Sequence, residues 1–210
     1  MCGIAGFTGP MDRGLLARMT DAIAHRGPDA EGVFIDPESG VHLGHRRLSI
    51  LDRAGGAQPM ATDDGELVIV FNGEIYNWRE LRGDLEAGGA VFTSDHSDTE
   101  VLLHAYRAWD EAMVQRLNGM WAFVLYDRRR RRLFCSRDRF GKKPLYYHLA
   151  DGRFVFASEL GALRCHPLVS GAVDDTALRK YFGYGFVPAP RSLLRDAAKL
   201  PGGCSLTLDV

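Results

Sequence analysis

Four segments in the second half of the chain are rich in β-branched and aromatic residues and are joined by short connections. They span residues 121–126, 133–136, 145–148 and 153–157, and this composition predicts β-strands. The dipeptide Asp151-Gly152 between the last two is a strong hairpin signal. Strands joined by short turns pair antiparallel, because a parallel pair needs a long crossover connection. The order of segments therefore favours antiparallel pairing over a doubly wound parallel sheet.

The first half of the chain adds further strands and amphipathic helices. Strands are predicted at 3–7, 41–43 and 67–71. Apolar residues at spacings of three and four predict helices around 15–23, 81–85, 101–109 and 178–182. With 210 residues and 46% hydrophobic composition, the chain can build one well-buried core. Two mainly antiparallel sheets packed face to face, with helices outside, accommodate every element, so we predict an α+β fold.

Charge and composition narrow the classes of function. Lys and Arg number 26 against 27 Asp and Glu, which gives no electrostatic reason to expect nucleic acid or an anionic membrane. The basic run at 128–132 is predicted to be a solvated hairpin turn. No signal peptide or membrane-length apolar run is present, which predicts a cytoplasmic protein. The four cysteines form no C-x-x-C pair, so we expect no metal site and no cofactor.

Cys2 is the residue with the clearest potential for chemistry. An initiator Met is usually removed before a small residue, and removal of Met1 places a thiol and a free α-amine on Cys2. The α-amine has a reference pKa of about 8, which suits a base that takes a thiol proton near neutral pH. Such a nucleophile needs no separate histidine. Met-Cys alone fits equally well an ordinary small residue in a first strand, and the dipeptide leaves both interpretations open.

Further segments occur in a fixed order after Cys2. They are CGIAG from residue 2, HRGPD from 25, HRRLSILD from 45, FNGEIYN from 71, SDTE from 97, GMWAF from 119, RDRFG from 137, FASE from 156 and VPAPR from 187. Together they resemble the glutaminase domain of the asparagine synthetase family, a class II (N-terminal nucleophile) glutamine amidotransferase. The resemblance implies the Ntn hydrolase fold, a four-layer αββα sandwich. It also implies hydrolysis of L-glutamine to glutamate and ammonia through a γ-glutamyl thioester.

The resemblance assigns roles to individual residues. It implies that Cys2 is the nucleophile and that Asn72 and the backbone N–H of Gly73 stabilise the oxyanion. It implies that glutamine is bound by Arg47 at its carboxylate and by Asp98 at its ammonium group. Glu74 is expected among the same glutamine-binding residues. The lack of a side chain at Gly73 is expected to let its backbone approach the substrate closely.

The residues alone leave several of these assignments open. Arg46 and Arg47 are equivalent by type, and only the match to the Arg-Leu-Ser segment selects Arg47. Asp98 also fits a helix N-cap or a first-turn acid, because an apolar helical run follows it. Asn72-Gly73 alone is typical of a hairpin turn, and Glu74 of an acid in that turn.

Three positions have no assigned role or depart from the family pattern. His25 has no partner that the sequence identifies. Lys142 stands where the family often has an apolar residue, and we expect it at the surface. Residues 201–203, Pro-Gly-Gly, replace a more common Pro-Gly-His, which leaves the local geometry there open.

The resemblance also bears on domains and partners. We expect residues 2–210 to form one glutaminase domain without the family's ATP-pyrophosphatase domain, because no phosphate-binding loop with its hydroxyl residue is found. ATP and Mg would belong to that absent domain. The expected partners are L-glutamine and a synthetase domain or subunit, with a homodimer as an option. The alternatives are a silent glutamine-sensing or docking module, or an ammonia donor for another amidation or cyclase enzyme.

Overall fold

The computed structural model describes residues 1–48 and 56–210. Its strands are β1 (Gly3–Thr8), β2 (Ala30–Asp36), β3 (Val41–Arg47), β4 (Met60–Ala61), β5 (Leu67–Ile75), β6 (Gly119–Asp127), β7 (Arg132–Arg137), β8 (Tyr146–Ala150), β9 (Arg153–Ala157), β10 (Ala198–Lys199) and β11 (Ser205–Asp209). Its α-helices are α1 (Arg13–Asp21), α2 (Trp78–Ala87), α3 (Asp98–Trp109), α4 (Leu160–Leu163) and α5 (Asp175–Tyr184). Short 3-10 helices lie at Ala24–Arg26 and Asp110–Gln115.

The strands form two sheets. The first sheet has the order β10-β8-β9-β1-β3-β2, and the second has the order β11-β7-β6-β5-β4. Every pairing between these strands is antiparallel. The start of β1 and the second half of β5 lie at the site described below. This topology confirms the antiparallel prediction made from the segment order.

Three hydrophobic clusters separate four layers. The middle cluster lies between the two sheets and contains Ile4, Val70 and Phe156. A second cluster packs α2 and α3 against the outer face of the second sheet, around Phe71 and Leu102. The third packs α1 and α4 against the first sheet. Because each sheet is covered on one face by helices and on the other by its partner sheet, the fold is the predicted α+β, αββα sandwich.

Local signals in the sequence explain where most elements begin and end. Asp12 accepts a hydrogen bond from Leu15 N (2.8 Å) and caps α1. α5 ends at Gly185, whose φ of +75° is the left-handed conformation that glycine adopts easily. Asp151 and Gly152 also have positive φ, 51° and 71°, and form the predicted hairpin turn between β8 and β9. The basic run likewise forms an exposed connection between β6 and β7.

Some elements differ from the sequence predictions. The sequence did not indicate β2, β4, β10, β11 or α4, which are short or lie at sheet edges. β2 alternates only weakly in burial, so its pattern of apolar residues is faint. The first predicted helix ends at Asp21, although Ile23 beyond it is fully buried. Phe182 lies in the predicted fourth helix but is 79% exposed, so helical spacing there does not mark a core face.

The hairpin interpretation of Asn72-Gly73 is wrong. Both residues, with Glu74, lie within the long strand β5. β6 pairs with this part of β5 residue by residue, with Asn72 opposite Ala122 and Gly73 opposite Trp121. The ladder to β6 outweighs the local turn preference of the dipeptide.

Within residues 1–48 and 56–210, no helix has the length and apolar character needed to cross a membrane.

Candidate active site

A cavity of about 350 Å³ lies where the ends of β1, β3 and β5 meet the start of α3. Its volume is in the range of small-molecule sites in proteins. All six residues that the sequence predicts for the site line this cavity: Cys2, Arg47, Asn72, Gly73, Glu74 and Asp98. Residues distant in sequence thus converge on one pocket, which we call the glutamine pocket after the substrate that the family resemblance implies. A larger cavity of about 770 Å³ between β4, α2 and α3 contains none of the six.

Cys2 lies half-buried at the start of β1. Its Sγ lies 3.9 Å from the carbonyl oxygen of Leu48. Met1 precedes it, is 59% exposed and lines the same pocket. Removal of Met1 would therefore leave the α-amine of Cys2 in the pocket, next to its own thiol.

The HRGPD motif from residue 25 and the FASE motif from residue 156 meet behind Cys2 and fix its backbone. Arg26 donates from Nε to the Cys2 carbonyl oxygen (3.0 Å) and from a terminal nitrogen to Glu159 Oε1 (2.8 Å). His25 Nε2 lies 3.1 Å from the same Glu159 oxygen. Burial opposes ionisation of Glu159, but hydrogen bonds from Arg26 and His25 keep its pKa below the usual value. The sequence assigned no role to these three residues, although their presence in two motifs was the available signal.

The edge of β5 beyond β4 carries backbone donors that face the glutamine pocket. Phe71 N donates to Gln58 Oε1 (2.6 Å), and Ile75 N donates to Asp98 Oδ2 (3.0 Å). Backbone N–H groups alternate between the two edges of a strand, so residues 71, 73 and 75 share an edge. Gly73 N–H therefore lies between two donors that are already satisfied, on the edge lined by the pocket.

Asn72 supplies a second donor at the same place. Its side chain is 1% exposed, and its Nδ2 has no hydrogen-bond acceptor among the described residues. An unpaired buried donor typically costs about 1–3 kcal/mol. Such a group is rare in folded proteins and calls for a ligand or another specific explanation.

Gly73 is required by packing as well as by its place in the pocket. A Cβ built on Gly73 would lie 2.2 Å from the carbonyl oxygen of Met120 and 2.5 Å from the ring of Phe71. No side chain fits between these neighbours. The sequence analysis explained the glycine by close approach of the substrate, and the packing of β5 against β6 is a further reason.

β3 separates the two neighbouring arginines. Arg46 pairs with Asp21 and with Glu31 (2.6 Å) on the helix side of the first sheet. Arg47 lines the glutamine pocket. Gly27 packs directly on this strand, since a Cβ there would lie 2.4 Å from the backbone of Arg46. The structure thus places Arg47, and not Arg46, in the pocket. Residues 49–52 of the same motif lie outside the described residues.

Asp98 is the first residue of α3 and points its carboxylate at β5. Ser97 caps the helix by accepting from Glu100 N (3.3 Å), so Asp98 is a first-turn acid and not the N-cap. Burial and, to a smaller extent, the nearby charge of Glu74 raise the pKa of Asp98 to about 6, against the hydrogen bond from Ile75 N. A carboxylate with this pKa is largely ionised at pH 7 and gains most from a cationic partner.

The family resemblance implies that Asp98 binds the ammonium group of glutamine, and the raised pKa of Asp98 then predicts a pH-dependent affinity for this substrate. Below about pH 6 Asp98 is protonated and cannot pair with the substrate ammonium group, which stays charged throughout this range. We therefore expect the Kd of glutamine for a Cys2→Ala variant, which cannot turn over, to rise about tenfold for each pH unit below 6. Calorimetry between pH 5 and 8 measures this.

Two variants make the assignment specific. Asp98→Asn should bind weakly and without a break near pH 6. Glu74→Gln removes a negative neighbour, so it should move the break to lower pH. A break at the same pH in Asp98→Asn would show that another group is responsible.

His45 and Asp138 support the pocket from behind. His45 Nε2 lies 3.1 Å from the Phe71 carbonyl oxygen and joins β3 to β5 across the two sheets. Burial lowers the pKa of His45 to about 4, so the ring is neutral at pH 7. Asp138 is fully buried and accepts from Trp121 N and Lys143 N. Neither residue is recognisable as a support from sequence spacing, because each acts on a distant strand.

No group of three or more His, Cys, Asp or Glu residues is arranged to hold a metal ion in the part of the chain that the structure describes.

The other three cysteines differ from Cys2 in position. Cys135 is buried in the core between the sheets, as predicted, and burial raises its pKa. Cys165 and Cys204 do not line the pocket.

Comparison with known families assigns the chain. A family model described as a glutamine amidotransferase domain matches residues 1–210. The chain belongs to this glutamine amidotransferase family. Its relatives include the asparagine synthetase [glutamine-hydrolyzing] 3 of Bacillus subtilis, 43% identical over 192 residues. That alignment covers 88% of this chain and 31% of the relative.

Other similar proteins agree with this assignment. The putative asparagine synthetase [glutamine-hydrolyzing] 2 of Methanocaldococcus jannaschii is 36% identical and is matched over 100% of this chain and 44% of its own length. This amidotransferase chain therefore spans about a third to a half of these relatives. Among solved structures, the glutamine phosphoribosylpyrophosphate amidotransferase of B. subtilis matches with a TM-score of 0.65 at 22% identity, over 78% of this chain and 43% of that one. At this identity the match confirms the Ntn amidotransferase fold.

Proposed function

We propose that this chain hydrolyses L-glutamine to glutamate and ammonia through a γ-glutamyl thioester on Cys2. The observation that carries the proposal is the buried Asn72 Nδ2, which has no acceptor among the described residues and lies in the same pocket as Cys2. Asn72 Nδ2 and the backbone N–H of Gly73, on the open edge of β5, together supply two fixed donors for one oxygen atom. Donors held in place before reaction stabilise an oxyanion without reorganisation.

The steps follow from these groups. The free α-amine of Cys2 accepts the thiol proton, and the thiolate attacks the side-chain amide carbon. The carbonyl oxygen becomes an oxyanion at Asn72 and Gly73. The proton then passes to the amide nitrogen, and ammonia leaves as the thioester forms. Water attacks the thioester and releases glutamate and the thiol. Arg47 and Asp98 hold the α-carboxylate and α-ammonium groups, which do not change.

The ammonia is proposed to serve an ATP-dependent asparagine-synthetase-type domain or subunit. Support comes from relatives that are named asparagine synthetases. This chain matches only 31% and 44% of the length of two of them, so most of each relative lies outside the match. In this proposal residues 2–210 form the glutaminase domain, ATP and Mg bind the synthetase part, and aspartate is the acceptor. The protein acts in the cytoplasm and needs no nucleic acid or membrane.

An exposed aromatic segment at the end of α5 offers a contact surface for the synthetase part. Tyr181, Phe182, Tyr184 and Phe186 are 45%, 79%, 65% and 59% exposed within six residues. Exposed apolar patches of this kind mark interaction sites. Without a synthetase part, the same surface is expected to promote self-association, for example as a homodimer.

The proposal is tested with glutamine labelled with ¹⁵N at the side-chain amide. We expect the chain alone to release labelled ammonia and glutamate, and to form no labelled asparagine when aspartate and Mg-ATP are added. Cys2→Ala should release no ammonia above background. Binding of glutamine without turnover by the chain beginning at Cys2 would contradict the proposal and indicate a sensing module. ATP-dependent asparagine from the chain alone would contradict the domain assignment.

A further inference from the structure

Lys143 is a buried cation in the glutamine pocket that the mechanism above does not use. Its side chain lines the pocket beside Cys2, and the residue is 7% exposed. Its neighbour Lys142 is exposed, as the sequence predicted. The chain therefore directs one of two adjacent lysines inward and leaves the other in solvent.

Strong hydrogen bonds fix the backbone that carries Lys143. Arg137 Nε donates to the Lys143 carbonyl oxygen (2.6 Å), and Lys143 N donates to Asp138 Oδ2 (2.9 Å). Asp138 also accepts from Phe140 N (3.1 Å) and Lys142 N (2.9 Å) through Oδ1. These bonds hold the backbone from which the Lys143 side chain lines the pocket.

A buried ammonium group is costly unless an anion lies nearby. None of the ion pairs found among the described residues includes Lys143. Burial lowers its pKa, and the charge of Arg26 lowers it further. Cys2, Asp138 and Glu74 oppose this shift, and Cys2 and Glu74 line the same pocket as Lys143.

Several other charges around the pocket already have partners. Arg26 is paired with Glu159. Asp138 accepts hydrogen bonds from four backbone N–H groups. Arg47, Glu74, His96 and Asp98 also line the pocket, and Asp98 accepts from Ile75 N. Lys143 is thus a buried cation outside these ion pairs of the described residues, and it lines the same pocket as the nucleophile.

We propose that Lys143 is a positioning residue whose ammonium group stabilises the Cys2 thiolate and increases the nucleophilic fraction of Cys2 at neutral pH. The thiol proton goes to the α-amine of the same residue, and Lys143 keeps its own protons throughout. The catalytic consequence rests on the proposed glutamine hydrolysis, whereas the effect on the thiolate does not require any substrate.

The test measures alkylation of Cys2 by iodoacetamide as a function of pH. The chain beginning at Cys2 is treated without glutamine, and the modified Cys2 peptide is quantified by mass spectrometry. Removing a neighbouring opposite charge typically shifts such a midpoint by about one pH unit or more. We expect Lys143→Met to move the midpoint upward by about that amount. Cys204, which is exposed, serves as an internal reference in each sample.

Matched variants separate charge from structure. Lys142→Met removes the adjacent exposed lysine and should leave the midpoint unchanged. Lys143→Arg keeps the charge and should restore most of the wild-type profile. Lys143→Gln is a second neutral variant, to be used if thermal unfolding shows that Lys143→Met does not fold. Coincident profiles for wild type and a folded neutral variant would overturn the proposal, and so would an Arg variant displaced as far as the neutral one.

Kinetics tie the effect to turnover. We expect kcat/KM for glutamine at pH 7 to fall about tenfold in Lys143→Met, with partial recovery at higher pH. The two proposals can fail separately. If Lys143→Met shifts the alkylation midpoint but the wild-type protein releases no ammonia, glutamine hydrolysis is refuted and the role of Lys143 stands. Normal hydrolysis with an unshifted midpoint in the variant would refute the role of Lys143 alone.

Discussion

Any residue left in front of Cys2 is expected to abolish glutamine hydrolysis. The base in the proposed mechanism is the α-amine of Cys2, and a preceding residue converts that amine into an amide that cannot accept a proton. General base catalysis typically contributes about a hundredfold to ten-thousandfold, so activity should fall by at least about a hundredfold. The structure adds a steric reason, because Met1 lines the glutamine pocket.

The measurement compares two forms of one protein. The first carries an uncleaved N-terminal tag, and the second is the same protein after cleavage immediately before Cys2. Intact mass should show that untagged protein from cells has lost Met1. A tag at the other end is the matched control, since Val210 follows the edge strand β11 and does not line the pocket. Full activity with the N-terminal tag in place would rule out the α-amine as the base.

The sequence predicted the layers of this fold better than its edges. Apolar segments such as those containing Phe71 and Phe123 form central strands whose burial on both faces leaves a strong pattern. The edge strand β2 is largely exposed, and β4 and β10 have two residues each. Their existence depends on pairing with a neighbour that is distant in sequence, which local composition does not report.

The residues of the pocket were likewise predicted only in part. The resemblance to a family selected the residues that line it, including the choice between Arg46 and Arg47. The contacts made by the supports behind them were not predictable, because these residues act across the fold. Arg26 reaches Glu159, which is 133 residues away, and His45 joins one sheet to the other through the Phe71 carbonyl oxygen. Lys143 is a further example, since only its burial beside Cys2 distinguishes it from Lys142.

Asn72→Ala is expected to lower kcat strongly while changing KM little. Asn72 Nδ2 is positioned for charge that appears on the amide oxygen only in the transition state. Loss of one such donor typically costs about a hundredfold to a thousandfold in kcat. Arg47→Ala is the informative comparison, because Arg47 is proposed to bind a carboxylate that is the same before and during reaction. That variant should chiefly raise KM, as expected for loss of uniform binding.

The stability of Asn72→Ala distinguishes a functional donor from a structural one. Replacing an ordinary buried hydrogen-bonded asparagine destabilises a protein, because its partner is left unpaired. Here Nδ2 has no acceptor among the described residues, so its removal should not lower the free energy of unfolding and should even raise it slightly. Asn77→Ala is the matched control: Asn77 is hydrogen-bonded to Arg116 O (3.0 Å) and Asn118 N (2.9 Å) outside the pocket. That variant should lose stability and keep its kcat. A loss of stability in Asn72→Ala with kcat unchanged would show that Asn72 holds the fold and not the oxyanion.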